Sequence, residues 1–240
     1  MTYIEGFVAA VPVANREKYL KHAADAAPIF KDLGVRRMVE CWQQDVPKGK
    51  VTDFRRAVQA TDGEAVVFAW FEYADKTTRD AANEKMLSDP RMKQMGDEMP
   101  FDGRRMIFGG FEGIVEQHDA SRTTGYVDGF VVPVPEGNRE RYRQLASQMS
   151  EVFLKHGATR VVEAWGSDIP DGKVTDFRRA VKAEAGENVV CSFIEWPSQA
   201  ARGSGWEQVM KDPACQNSPK DIFNGQRMFW GGFEPILDRK

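Results

Sequence analysis

The sequence predicts an α+β chain: two tandem ferredoxin-like βαββαβ domains, packed sheet to sheet as an α/β barrel-like sandwich. Three observations predict it. The first half of the sequence returns in the second at a near-constant spacing. Each half reads as strand, helix, strand, strand, helix, strand, the split βαβ order. A sheet with helices on one face also leaves its other face needing cover, and a second copy in the same chain supplies it.

The repeat comes first because it decides the architecture. Tyr3-Ile4-Glu5-Gly6-Phe7-Val8 returns as Tyr126-Val127-Asp128-Gly129-Phe130-Val131, an offset of 123 residues, and Asn15 to Tyr19 returns as Asn138 to Tyr142. The longest match runs from Asp45 to Val58 and recurs as Asp168 to Val181 with two changes, Val46/Ile169 and Lys48/Asp171. Asp89-Pro90 returns as Asp212-Pro213, but Arg105-Met106 returns as Arg227-Met228 at 122, so one residue is lost between Pro213 and Phe223. The expected domains are 1–117 and 124–240, joined through the polar stretch Gln117 to Thr124.

Within the first half, Tyr3 to Val11 alternates, is rich in β-formers and reads as a strand ending at Pro12. Asn15 is a favourable N-cap. Tyr19, Ala23, Ala27 and Phe30 then recur at helical spacing until Gly34, with Pro28 placed to kink the helix. Asn138 to Gly157 repeats this with Tyr142, Ala146, Met149 and Phe153. Arg36 to Gln43 reads as the second strand and Ala65 to Tyr73 as a strongly apolar third. Asp75 or Thr77 caps a second helix through Leu87, which Asp89-Pro90 breaks. Arg104 to Ile114 reads as the fourth strand, its Gly109-Gly110 pair marking a bulge or a close backbone approach. Asp45 to Val58 is too long for a tight hairpin; its later part either extends the hairpin or forms a short helix.

Composition excludes several classes. Lys and Arg number 33 against 36 Asp and Glu, well mixed, so no basic surface points to nucleic acid. No uncharged apolar run approaches the about 18 residues needed to span a bilayer, and Met1 to Gly6 does not resemble a signal peptide. The expected location is cytoplasmic. The three cysteines have no paired spacing. Cys41 aligns with Ala164 and Cys191 with Phe68, so they read as packing residues. His22 aligns with Leu145, His156 with Leu33, and His118 lies by the linker. No histidine is shared between copies, and neither metal nor cofactor is expected.

The candidate ligand-binding residues come from strand alternation. One face of the first strand carries Tyr3, Glu5 and Phe7, one face of the second Met38, Glu40 and Trp42, and one face of the third Phe68, Trp70 and Glu72. The second copy offers Asp128, Glu163, Trp165 and Glu195 at matching positions. If these faces look away from the helices, the space between the sheets holds aromatics and carboxylates, the makings of a small-molecule pocket with acid–base capacity. The competing reading pairs those carboxylates with Arg37, Arg55, Arg56, Arg105 and their repeats Arg160, Arg178, Arg179 and Arg227, fixing the two halves in register. Asp53/Asp176 with Arg55/Arg178 likewise read as an anion clamp or as a loop tied down by an Asp–Arg pair.

The Tyr-Ile/Val-Glu/Asp-Gly-Phe-Val start, the Gly-Lys-Val-Thr-Asp-Phe-Arg-Arg-Ala-Val block and the Arg-Met…Gly-Gly-Phe-Glu ending resemble the YbaA-like family of bacterial domains of unknown function, over nearly all of both halves. The resemblance implies a dimeric α/β barrel of ferredoxin-like type, here formed within one chain. It implies no established activity, cofactor or catalytic residue. That fold group includes cofactor-free monooxygenases, haem-binding degraders and stress-response proteins, and fold does not carry function. Two functional readings follow: a small-molecule-binding or structural barrel protein, or a cofactor-independent monooxygenase- or isomerase-like enzyme using Glu40/Glu163 or Glu72/Glu195. Further homo-oligomerisation stays open.

Overall fold

The structure, a computed structural model, describes residues 2–119, 121 and 123–240; Ala120 and Arg122 of the expected linker, and Met1, lie outside the described residues. The first repeat contains β1 (Tyr3–Pro12), α1 (Arg16–Asp32), β2 (Arg37–Asp45), α2 (Phe54–Ala57), β3 (Glu64–Tyr73), α3 (Lys76–Ser88), α4 (Pro90–Asp97) and β4 (Ile107–His118). The second contains β5 (Tyr126–Pro135), α5 (Arg139–Lys155), β6 (Arg160–Asp168), α6 (Phe177–Ala180), β7 (Glu187–Trp196), α7 (Gln199–Val209), α8 (Pro213–Gln216) and β8 (Phe229–Arg239).

Each repeat has the ferredoxin-like strand order, β4-β1-β3-β2 and β8-β5-β7-β6. The two sheets do more than face each other. β2 pairs with β8 and β4 with β6, both antiparallel, and the eight strands close into one barrel. Closure removes four sheet edges whose backbone groups would otherwise be unpaired. Both seams carry register shifts, one between Gly110 and Phe111, so the glycine pair does mark a bulge. A Cβ at Gly110 would lie 2.2 Å from the Tyr3 hydroxyl oxygen, so the close approach is real as well.

The barrel interior is filled. Ile4, Val8, Val39, Cys41, Phe68 and Trp70 of the first repeat meet Val127, Val131, Val162, Ala164, Cys191 and Phe193 of the second, all buried. Trp70 stacks on Phe193 with ring centroids 4.1 Å apart. Cys41 and Cys191 are free and buried here. Burial pushes the Cys191 thiol up to about 12 and raises Cys41 as well, so both remain thiols of low reactivity.

Asp45 to Val58 resolves to the short-helix alternative. Asp53 Oδ1 accepts from Arg56 N–H at 2.8 Å and caps α2, and Asp176 does the same for α6. Phe54 enters one end of the barrel against Phe68, Phe229 and Phe233. Thr52 donates to the Ala180 carbonyl at 2.6 Å, and Thr175 to the Ala57 carbonyl at 2.7 Å. The best-kept block therefore stitches the repeats together. Its ion pair joins Asp53 to Arg56, not Arg55, which instead donates to the Glu64 and Thr61 carbonyls. That geometry makes it a tied loop, not an anion clamp.

The first helix starts after a short 3-10 turn, Val13–Asn15. Asn15 occupies the N-cap position without a side-chain capping bond; its amide donates to the Pro100 carbonyl and holds the loop before β4. Asn138 repeats this with Ile222. Gly34 takes φ +105°, the left-handed conformation that ends the helix.

Candidate functional site

The nine candidate residues do not share one face. Register places Glu5 opposite Phe71, Phe71 opposite Met38, and Glu40 opposite Ala69. Glu5, Glu40 and Trp42 therefore lie on the outer, helix-covered face of the sheet, and so do Asp128, Glu163 and Trp165. Trp70, Glu72 and Glu195 lie inside the barrel. The nine therefore form no single inter-sheet site: six lie on the outer face and three in the barrel interior. Every residue of β3 from Ala65 to Tyr73 is buried, so exposure does not alternate along that strand and Glu72 within it does not mark an outward face.

Glu72 and Glu195 follow the ion-pair reading. Arg37 donates to both oxygens of Glu195 at 2.7 and 2.9 Å, and Arg160 to both oxygens of Glu72 at 2.6 and 3.1 Å. Each guanidinium thus grips the carboxylate of the other repeat. Asp238 adds to Arg37 and Glu116 to Arg160. Trp70 Nε1 donates to Glu72 at 2.9 Å. Burial alone would raise the Glu195 carboxyl, but the hydrogen bonds and charge of Arg37, with Arg160, hold it below its ordinary value. These groups are fully engaged, and they lock the two halves in register.

Glu40 and Glu163 are different. Each stands on the floor of a cavity between the outer sheet face and the helices, of about 490 Å³ in the first repeat and about 460 Å³ in the second. Such volumes fall in the range of small-molecule sites. Tyr19 of α1 donates to Glu40 Oε2 at 2.6 Å, and Tyr142 of α5 to Glu163 Oε2 at 2.8 Å. Among the described residues no cation pairs with either. Burial therefore dominates and pushes both carboxyls up to about 7, against the smaller lowering effect of the tyrosine hydroxyls. A carboxyl poised near neutrality can donate or accept a proton.

The first pocket is walled by Phe7, Phe30, Phe71 and Phe101 and by six of the chain's ten methionines, Met38, Met86, Met92, Met95, Met99 and Met106. Methionine adapts its shape and makes favourable contacts with aromatic rings. Met92 and Met95 come from α4, which has no buried residue. Sequence reasoning missed Tyr19 and Tyr142 as site residues because both fit the apolar helix stripe. The available signal was a hydroxyl at the same stripe position in both repeats. Trp42 and Trp165 support the sites from beside them; each lies under a guanidinium, of Arg16 and Arg139 respectively.

Among the described residues no cluster of histidine, cysteine, aspartate and glutamate could hold a metal ion, and no helix is long and apolar enough to cross a membrane. His22 lines the first pocket, while His156 meets Asp212 at 3.0 Å.

The fold is shared with solved structures of very different sequence. One, described as a "putative monooxygenase" from Fusobacterium nucleatum, superposes with a TM-score of 0.63 at 9% identity, covering 100% of this chain and 94% of that one. Another of the same description from Lactobacillus acidophilus gives 0.60 at 8% identity, covering 100% and 96%. In sequence, the "Uncharacterized protein YbaA" of Escherichia coli K12 is 60% identical over 117 residues, all of that protein and 49% of this chain. The family described as "Protein of unknown function (DUF1428)" matches residues 2–103 and again 125–225. With both halves matched, the chain belongs to the DUF1428 family and carries two of its domains in tandem.

Proposed function

We propose that the chain binds small apolar, ring-bearing molecules in the two pockets between helices and barrel, one in each domain (1–117 and 124–240), with Glu40 and Glu163 as the protonatable group on each floor. One observation carries the reading. In a methionine- and phenylalanine-lined cavity, Glu40 is 5% exposed, has no cation beside it among the described residues and is held by the Tyr19 hydroxyl. A carboxyl kept for packing alone would be paired or replaced by an apolar residue, since burying it unpaired is costly.

The test is binding of 8-anilinonaphthalene-1-sulfonate by fluorescence, alongside native mass spectrometry of freshly purified chain with extraction of any co-purified compound. Ala69→Leu and Ser192→Leu each place a branched side chain in one pocket floor. Saturable dye binding that each variant weakens supports the reading. An apo mass together with dye binding indifferent to both substitutions refutes it.

A second reading, an enzyme moving protons through Glu40 and Glu163 in a cofactor-independent monooxygenase- or isomerase-like reaction, is favoured by their position near neutrality. The description "putative monooxygenase" of the fold relatives suggests oxygen insertion as the first reaction to assay, and the ring-lined first pocket suggests an aromatic substrate for it. Turnover that survives in the Glu40→Gln, Glu163→Gln double variant removes this reading.

A further inference from the structure

The two pockets differ at one corner, where β1 meets α3 in the first repeat and β5 meets α7 in the second. At offset 123 the corner residues correspond: Glu5 with Asp128, Arg79 with Arg202, and Asn83 with Trp206. In the second repeat the carboxylate is closely held. Trp206 Nε1 donates to Asp128 at 2.7 Å, Trp196 Nε1 at 3.0 Å, and Arg202 Nε at 2.9 and 3.1 Å. Trp206 lines that cavity and Asp128 does not: the indole stands between the carboxylate and the open space.

In the first repeat the same corner is open. Glu5 and Asn83 both line the cavity. Among the described residues Glu5 has only long contacts: Asn83 Nδ2 at 3.3 Å, the Tyr73 hydroxyl at 3.4 Å and Arg79 Nη1 at 3.8 Å. Arg79 is drawn elsewhere, to the Tyr3 hydroxyl and to Asp168 of the other repeat. The Asn83 amide must turn its NH2 toward the carboxylate, which leaves Oδ1 facing away. That oxygen is buried and has no hydrogen-bond partner among the described residues. A buried acceptor left without a donor is destabilising, and so is a buried carboxylate with three weak contacts. Both deficits would be relieved by a hydrogen-bond donor brought to this corner, which the cavity adjoins. The opposite corner of the floor holds Glu40, two strands across and two residues along, about 12 Å between Cα atoms from standard sheet spacings. Between them the floor is Phe7, Ala69 and Phe71, apolar throughout.

We propose that the first pocket is the selective one: Glu5 and Asn83 receive the hydroxyl or N–H donor of an otherwise apolar aromatic ligand, at a corner that Trp206 fills in the second repeat. This rests on the pockets binding ligands at all, and the experiment separates the two claims.

The probes are 2-naphthol and 2-methoxynaphthalene, matched in ring system and differing in the donor, titrated into the full-length chain by calorimetry. At one site per chain, 2-naphthol binds about ten-fold more tightly than its methyl ether, the effect of one buried hydrogen bond. Asn83→Trp copies the second repeat and abolishes that preference, with thermal unfolding by circular dichroism confirming the native fold. Asn83→Ala keeps the cavity and reduces the preference. Trp206→Asn, which removes bulk and so reads the claim independently of whether Asn83→Trp folds, creates a second donor-preferring site. Equal affinity for the two probes, a preference that survives Asn83→Trp, no gain in Trp206→Asn, or two equal donor-preferring sites in the unaltered chain would each overturn the inference while leaving the pockets as binding sites. No saturable binding of either probe overturns both.

Discussion

Replacing Glu40 by glutamine asks whether this carboxyl is a structural ion or a deliberately buried acid. Glutamine keeps the shape and retains an oxygen to accept from the Tyr19 hydroxyl, but it cannot ionise. Burial raises Glu40 to about 7 from an ordinary value near 4.5. A carboxyl with a raised folded pKa binds its proton more tightly in the native state. Its contribution to stability is therefore complete below about pH 4.5 and is lost as pH rises through 7. The span of about 2.5 units corresponds to about 3 kcal/mol. Glu40→Gln is thus expected to be more stable than the unaltered chain by up to about 3 kcal/mol at pH 8, and nearly equal to it at pH 4.5. Glu163→Gln should behave the same way, since burial raises that carboxyl to about 7 as well. The assay is urea unfolding followed by tryptophan fluorescence and circular dichroism at both pH values, with coincident transitions licensing the free energies. A variant less stable than the parent at pH 8, or a difference that does not change with pH, would refute the argument and return Glu40 to the role of a structural partner.

The charge cluster at the barrel end should respond in the opposite way. Arg37→Met leaves Glu195 without its bidentate partner and costs about 3–5 kcal/mol, a fall in melting temperature on the order of 10 °C for a chain of this size; Arg37→Met with Glu195→Leu recovers most of it. Glu195 is held below its ordinary value, so its contribution is present above about pH 4.5 and fades on acidification, and the double variant should flatten that acid limb of the melting curve. Asp53→Ala removes the α2 cap and lowers the urea midpoint by the equivalent of about 1 kcal/mol, with an equal effect expected for Asp176→Ala. Gly110→Ala sets a methyl group 2.2 Å from the Tyr3 hydroxyl oxygen and 2.6 Å from Arg79 Nη2; displacing them costs about 1–3 kcal/mol, measurable by the same unfolding assay.

Much of the architecture was legible because it rests on local patterns and on self-comparison. The offset of 123 between Tyr3 and Tyr126 is read by self-comparison, the helical stripe from Tyr19 to Phe30 and the Asp89-Pro90 break have local causes, and α1 and α3 sit where those signals placed them. Less of the site could be read. Asn15 has the chemistry of an N-cap but spends its amide on Pro100, 85 residues away, a choice no local signal records. Glu40 and Glu72 look alike in a strand pattern. One ends in an apolar cavity under a tyrosine and the other in the grip of Arg160, because they lie on opposite faces of neighbouring strands.

By itself the sequence determined the duplication, the βαββαβ order of each half and the supply of carboxylates and arginines, since periodicity and repetition are properties of the chain. Only the tertiary structure decided that the sheets join at β2–β8 and β4–β6, which face each glutamate occupies, and that Asn83 leaves open a corner Trp206 closes. Those outcomes depend on strand register, and a shift of one residue would send every side chain to the other face. Register is set by contacts between segments far apart in the chain, so no local stretch of sequence carries it.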